Sequence, residues 1–187
     1  PKLQSLRGRI CGLVGLGKIG LAVAAKAQAL GMGVLGYSRN LNERAPEGTG
    51  ITLTSLETIF RQSDYISLHT PLNETTRYLV NKETLAEMKP TATIINTARG
   101  GMIDEESLLD ALNKGALNGA GLDVLESEGA VTTTRQALVN HPRAVVTAHT
   151  AWYSEDARAT LQYKTCEQVV MALKGERPYS VVNTIDI

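Results

Sequence analysis

Apolar positions along the chain fall into short unbroken runs, separated by segments in which they recur every three or four residues. Residues 10–14, Ile-Cys-Gly-Leu-Val, are apolar without alternation, as expected of a parallel strand buried on both faces. After them Ile19, Val23, Ala27 and Leu30 share one helical face, with Lys26 and Gln28 off it, and Gly31 ends that helix. Residues 34–37 predict a second strand and complete a β-α-β unit. Further strands are predicted at 51–53, 65–68, 92–95, 119–124 and 144–146. Between them Ser55 caps a helix carrying Leu56, Ile59 and Phe60, and Asn81 caps one bearing Leu85 and Met88 that Pro90 stops. Asp104 caps a helix with Leu108, Leu109 and Leu112, closed by Gly115, whereas 131–134 reads as a Thr-rich connection. Ser154, followed by Glu155 and Asp156, caps a long helix whose Leu161, Val169, Val170 and Leu173 are expected to face inward, with Gly175 and Pro178 ending it. Some seven strands alternating with helices predict an α/β fold, a doubly wound parallel sheet with helices on both faces.

The first turn carries chemistry. Gly15, Gly17 and Gly20 form a G-x-G-x-x-G pattern directly between the first strand and its helix. Gly15 suits the tight turn, Gly17 lets the backbone approach a pyrophosphate, and Gly20 allows close helix–strand packing. With Lys18 and Ile19 this turn is the expected phosphate edge of a dinucleotide site, since the helix N-terminus presents N–H groups and a positive dipole end. The sheet is thereby read as a Rossmann fold. In such sheets ligands bind beyond the carboxyl ends of the strands, and there the sequence turns polar: Ser38-Arg39-Asn40, His69-Thr70, Asn96-Thr97-Ala98-Arg99, Asp123 and His149.

Composition narrows the partners. A chain of 187 residues with 43% hydrophobic content can bury one sizeable core, so a single domain is expected over 1–187. Nineteen basic and nineteen acidic residues cancel, which gives a nucleic-acid or membrane-surface partner no electrostatic support. No stretch approaches the ~20 apolar residues of a membrane span and no signal-peptide pattern opens the chain, so a soluble, cytoplasmic protein is expected. Cys11 and Cys166 lie far apart in apolar segments without metal-ligand spacing; both are read as buried reduced thiols, and no metal site is expected.

Arg99 ends a strand and precedes Gly100-Gly101, so its planar guanidinium can stand above the sheet edge and grip a carboxylate. His149 follows the last strand, and Glu126 or Glu128 could pair with its imidazole and keep it a proton donor near neutrality. Taken singly, Arg99 reads first as a surface or salt-bridging arginine and His149 as a structural histidine. Together, beside a dinucleotide turn, they fit hydride transfer with a proton donor and a carboxylate clamp.

The run Asn96-Thr97-Ala98-Arg99-Gly100-Gly101-Met102-Ile103-Asp104, with Gly121-Leu122-Asp123-Val124 and His149, resembles the NAD-binding domain of the D-isomer-specific 2-hydroxyacid dehydrogenases. The resemblance implies that Arg99 binds the substrate's carboxylate and carbonyl, that His149 is the general acid or base, and that Glu128 orients it, leaving Glu126 a bystander. It implies too that Asp123 meets the nicotinamide end, that Thr97 and Ala98 line the cofactor, and that Thr70, Pro71, Leu72 and Thr75 cover it. The segment His149-Thr150-Ala151-Trp152-Tyr153-Ser154-Glu155 is similar to the C-terminal-binding-protein branch, where a tryptophan matching Trp152 faces the substrate pocket; packing is the other reading of Trp152. That branch includes NAD(H)-sensing co-repressors, so a binding module with little turnover is the alternative to a 2-keto acid reductase.

Three departures from the family pattern shape the expectations. Ser38 stands where an NAD-preferring member has an acid that accepts from ribose hydroxyls; with Arg39 and Asn40 it offers donors and a positive charge, which favours NADP over NAD. Ala148 replaces the usual proline before the histidine, and Gly129 stands where a proline commonly follows the glutamate. Family members also carry a second, substrate-binding domain. The chain is therefore expected to be the cofactor domain alone, binding cofactor but turning over poorly, and a homodimer is implied by the resemblance.

Overall fold

The computed structural model describes residues 5–39, 47–126 and 132–181. Seven strands, β1 (Ile10–Val14), β2 (Gly33–Tyr37), β3 (Thr52–Leu53), β4 (Tyr65–Leu68), β5 (Thr93–Asn96), β6 (Gly119–Leu122) and β7 (Ala144–Val146), form one sheet in the order β3-β2-β1-β4-β5-β6-β7. Every neighbouring pair is parallel. From β1 the chain builds outward through β2 and β3, then returns to β4 on the other side of β1. That reversal opens a crevice above the carboxyl ends of β1 and β4, the place where doubly wound sheets bind ligands.

Parallel strands need crossovers, and helices α1 (Lys18–Ala29), α2 (Leu56–Gln62), α3 (Lys82–Glu87), α4 (Glu105–Lys114) and α5 (Thr133–Val139) supply them. Alternation along β1 divides the core. Leu13 joins Cys11, Ala24, Ala27 and Val34 in one cluster, and Val14 joins Ile59, Ile66, Ile94, Leu108 and Leu112 in a larger one. Each such fully buried aliphatic side chain contributes roughly 1.5–3 kcal/mol.

The chain forms two compact units, residues 1–149 and 150–187. The second holds α6 (Glu155–Leu173), capped by Ser154, whose hydroxyl accepts from the Ala157 N–H. Leu161, Val169, Val170 and Leu173, expected to face inward, are exposed. No described residue of α6 is buried.

Three other expectations are corrected. Helix α1 turns Gly20, Ala24 and Ala27 to the sheet and leaves Ile19 and Leu30 exposed, because only small residues fit where helix and strand meet this closely. The Thr-rich connection contains α5, capped by Thr132, whose hydroxyl accepts from the Arg135 N–H. Cys166 lies exposed on α6, whereas Cys11 is buried, and burial pushes its thiol up to about 11.

Candidate active site

The glycine turn is built by close approach. Gly15 sits at φ 103°, and a Cβ on Gly20 would lie 2.1 Å from the Gly15 carbonyl oxygen, so helix α1 can start here only with glycine at both places. Gly17 is the N-cap of α1 and makes no side-chain cap hydrogen bond, and no acidic residue lies in the first turn. Each of the other five α-helices has its N-terminus capped by a side chain: Ser55, Asn81, Asp104, Thr132 and Ser154. The first N–H groups of α1 are thus left to an outside acceptor, and nothing stands within 4 Å of where a Gly17 Cβ would be. These features fit a pyrophosphate.

A cleft of about 440 Å³ opens from that turn. Gly15, Leu16 and Gly17 form one side, Tyr37 at the end of β2 with Ser38 and Arg39 another, and His69, Thr70, Pro71 and Thr75 beyond β4 the third. No carboxylate is among its described lining residues. Lys18 and Ile19, expected beside the phosphates, lie exposed in the first turn of α1. Leu72, expected to cover the cofactor, is not among the residues that line this cleft; it is exposed and reaches toward Gly101. Asn40 lies outside the described residues. His69, which motif reading left without a role, packs behind the turn: its Nε2 is 2.9 Å from the Ser67 hydroxyl, and burial holds its pKa below the ordinary 6.5, so it is neutral near pH 7.

The second group of residues gathers over β5, β6 and β7. Asn96 is fully buried at the end of β5; its Oδ1 accepts from the Ala98 N–H at 3.0 Å and its Nδ2 donates to the Arg99 carbonyl at 2.9 Å. That pair of hydrogen bonds from side chain to backbone fixes the loop on which Arg99 stands. The exposed Arg99 guanidinium donates to the Ala98 carbonyl at 2.7 Å. Behind it a short 3-10 helix, Gly100–Met102, presses on the chain leaving β6: a Cβ on Gly100 would lie 2.0 Å from the Leu125 carbonyl carbon. Thr97 is exposed and Ala98 half-buried between these partners.

Asp123 ties the three strand ends together. Its N–H donates to the Asn96 carbonyl, its own carbonyl accepts from the His149 N–H, and its carboxylate accepts from the Thr147 hydroxyl, at 2.9, 2.9 and 2.5 Å. His149 stands at φ 55°, a left-handed conformation that costs a non-glycine residue about 1–3 kcal/mol and clusters at functional sites. Asp123, His149, Thr147 and Arg135 line a second cleft, of about 390 Å³. Arg135 carried no sequence signal. Glu128 and Gly129 lie outside the described residues, and Trp152 is exposed in the second unit.

Residues 1–151 match the family model described as D-isomer specific 2-hydroxyacid dehydrogenase, NAD binding domain. The chain belongs to that family. It is 38% identical over 180 residues to D-3-phosphoglycerate dehydrogenase of Bacillus subtilis, an alignment covering 96% of this chain and 34% of that one. Among solved structures it is similar to a D-lactate dehydrogenase with NAD+ from Lactobacillus jensenii, with a TM-score of 0.90, 32% identity, and 96% and 57% of the two chains covered. An acyclic imino acid reductase in complex with NADPH and D-Arg gives a TM-score of 0.84 at 34% identity, covering 96% and 55%. This member of the 2-hydroxyacid dehydrogenase family therefore spans between a third and three-fifths of the length of these relatives. Its cofactor is a nicotinamide dinucleotide, and the residues described above fit one.

The Glu126 carboxylate is engaged by the loop after β4. It accepts from Arg77 at 2.8 Å and from the Tyr78 hydroxyl at 2.5 Å, across 49 and 48 residues of sequence, which is why local pattern gave no sign of it. No group of three or more His, Cys, Asp or Glu that could hold a metal occurs among the described residues, nor does a helix long and apolar enough to cross a membrane.

Proposed function

We propose that this chain is the dinucleotide-binding domain of a D-2-hydroxyacid dehydrogenase that interconverts a small 2-keto acid and its D-2-hydroxy acid, and that the rest of the protein supplies the substrate-binding domain. The supporting observation is the Asp123 network, which from the end of β6 holds the Arg99 loop after β5 and the His149 loop after β7 on the sheet edge that carries the glycine turn. A bound nicotinamide supplies or accepts the hydride at the substrate's C2. Arg99 grips the substrate carboxylate and orients the carbonyl. His149 gives a proton to the carbonyl oxygen in reduction and takes it back in oxidation, with Glu128 as its acidic partner.

NADP is the preferred cofactor on this reading. Ser38 and Arg39 line the cleft where an acid would repel a 2′-phosphate, and the described lining residues hold no carboxylate. Similar structures hold NAD+ in one case and NADPH in another, so the fold admits both. The active form is a homodimer, as the resemblance implies.

Reduction of a panel of 2-keto acids by the full-length protein tests the assignment. His149→Ala lowers kcat by about 10²-fold or more while the cofactor Kd changes less than about twofold. Equal loss of both would make His149 a structural residue and sink the reading.

A further inference from the structure

The cofactor cleft has one wall made by a loop, residues 70–79, whose Pro71, Asn73, Thr75, Thr76 and Leu79 face the cavity. Its outer part is a self-contained turn. Asn73 Oδ1 accepts from the Thr75 N–H and hydroxyl at 3.0 and 2.8 Å, and the Thr76 hydroxyl donates to the Pro71 carbonyl at 2.7 Å. The returning leg is paired through the backbone: Tyr78 N–H donates to Gly101 and Val80 N–H to Met102. Between turn and leg the chain must reverse, and it does so at Tyr78 with φ 47°, in the left-handed region. A non-glycine residue held there needs its surroundings to hold it.

Glu126 provides the hold. The Arg77 guanidinium lies 4.8 Å from the centroid of the Tyr78 ring, and both side chains converge on the Glu126 carboxylate. Glu126 is itself fixed: its N–H donates to Glu105 at 2.6 Å, and the Leu125–Glu126 peptide is packed against Gly100. The anchor therefore belongs to the rigid sheet edge and the anchored part to the cofactor wall.

We propose that Glu126 is a positioning residue for the dinucleotide: it pins the reversal at Arg77–Tyr78 to the exit of β6, so that the cofactor-covering loop is ordered before the cofactor arrives. Without that pin, the ordering of the loop is charged against binding. The inference rests on the cleft being the dinucleotide site.

The test is a fluorescence titration of NADPH against the 187-residue chain, its Glu126→Gln and Arg77→Gln variants and the double variant, with thermal midpoints measured on the same samples. Glutamine keeps the shape of Glu126 and removes its charge. Each single change weakens NADPH binding about fivefold, and the double variant is no weaker than about either single one, because both break one clamp. Midpoints stay within about 2 °C of the unmodified chain. Arg77 is exposed, so its variant reports on the clamp even should Glu126→Gln fail to fold. Unchanged NADPH affinity in the variants, additive losses, or a loss that follows a fall in midpoint would overturn the proposal. Failure of the unmodified chain to bind NADPH or NADH would overturn the reading of the cleft itself, and the inference with it.

Discussion

Asn96 turns a strand end into a platform. It is one of four polar or charged residues buried among those described, and its amide is spent on the backbone of Ala98 and Arg99. Asn96→Ala leaves the Ala98 N–H without its acceptor and frees the loop, so it lowers the unfolding free energy by about 1–3 kcal/mol. Denaturant melts of the two proteins check this; a change under about 0.5 kcal/mol would mean that water replaces the side chain without loss. Sequence alone singles out residues by type and motif: the three glycines, Arg99, His149. It did not disclose Asn96 as a loop staple or Glu126 as an anchor. Such roles belong to contacts, and the Glu126 partners are nearly fifty residues away.

At the scale of elements, the helix caps were the most legible feature. Ser55, Asn81, Asp104 and Ser154 all cap where the pattern put them. Helix α5 escaped because it opens on β-branched threonines. The buried face of α1 was misread because apolarity was taken to mark burial, whereas the glycine turn selects for small side chains. The bare N-terminus of α1 yields a prediction of opposite effects. Gly17 has extended backbone angles and open space at its Cβ, so Gly17→Asp supplies the missing cap and places a negative charge at the positive end of the dipole. Stability rises by about 0.3–1 kcal/mol while NADPH affinity falls at least about tenfold, by charge repulsion. Both numbers come from one set of melts and titrations, and a variant that lost stability would contradict the uncapped-helix account.

A second element-scale prediction concerns Asp64, between α2 and β4. Burial alone would raise its pKa, but the Ile10 N–H at 2.8 Å, Lys89 at 3.1 Å and Arg9 at 3.8 Å hold it below the ordinary 3.8. Since its folded value is lowered, its contribution is complete above 3.8 and is lost as pH falls through the folded value. The stability gap between the unmodified chain and Asp64→Asn is therefore flat from about pH 7 to pH 5 and narrows below about pH 4. A gap independent of pH down to about pH 2 would show that the ion pairs contribute nothing.

For the molecule as a whole, strand order sets the crevice above β1 and β4, the glycine turn borders it, and Asp123 aligns the Arg99 and His149 loops along the same edge. The sheet and its alternation were legible because buried parallel strands leave unbroken apolar runs; past β2, Ser38 and Arg39 line the cleft. The most direct measurement is a titration of the purified chain with NADPH and with NADH, repeated on Ser38→Asp. The unmodified chain binds both saturably and NADPH more tightly, and Ser38→Asp reverses the order, as repulsion of a 2′-phosphate requires. Binding of NADH about tenfold tighter than NADPH by the unmodified chain, a difference near 1.4 kcal/mol, would contradict the cofactor assignment, and binding of neither would contradict the site.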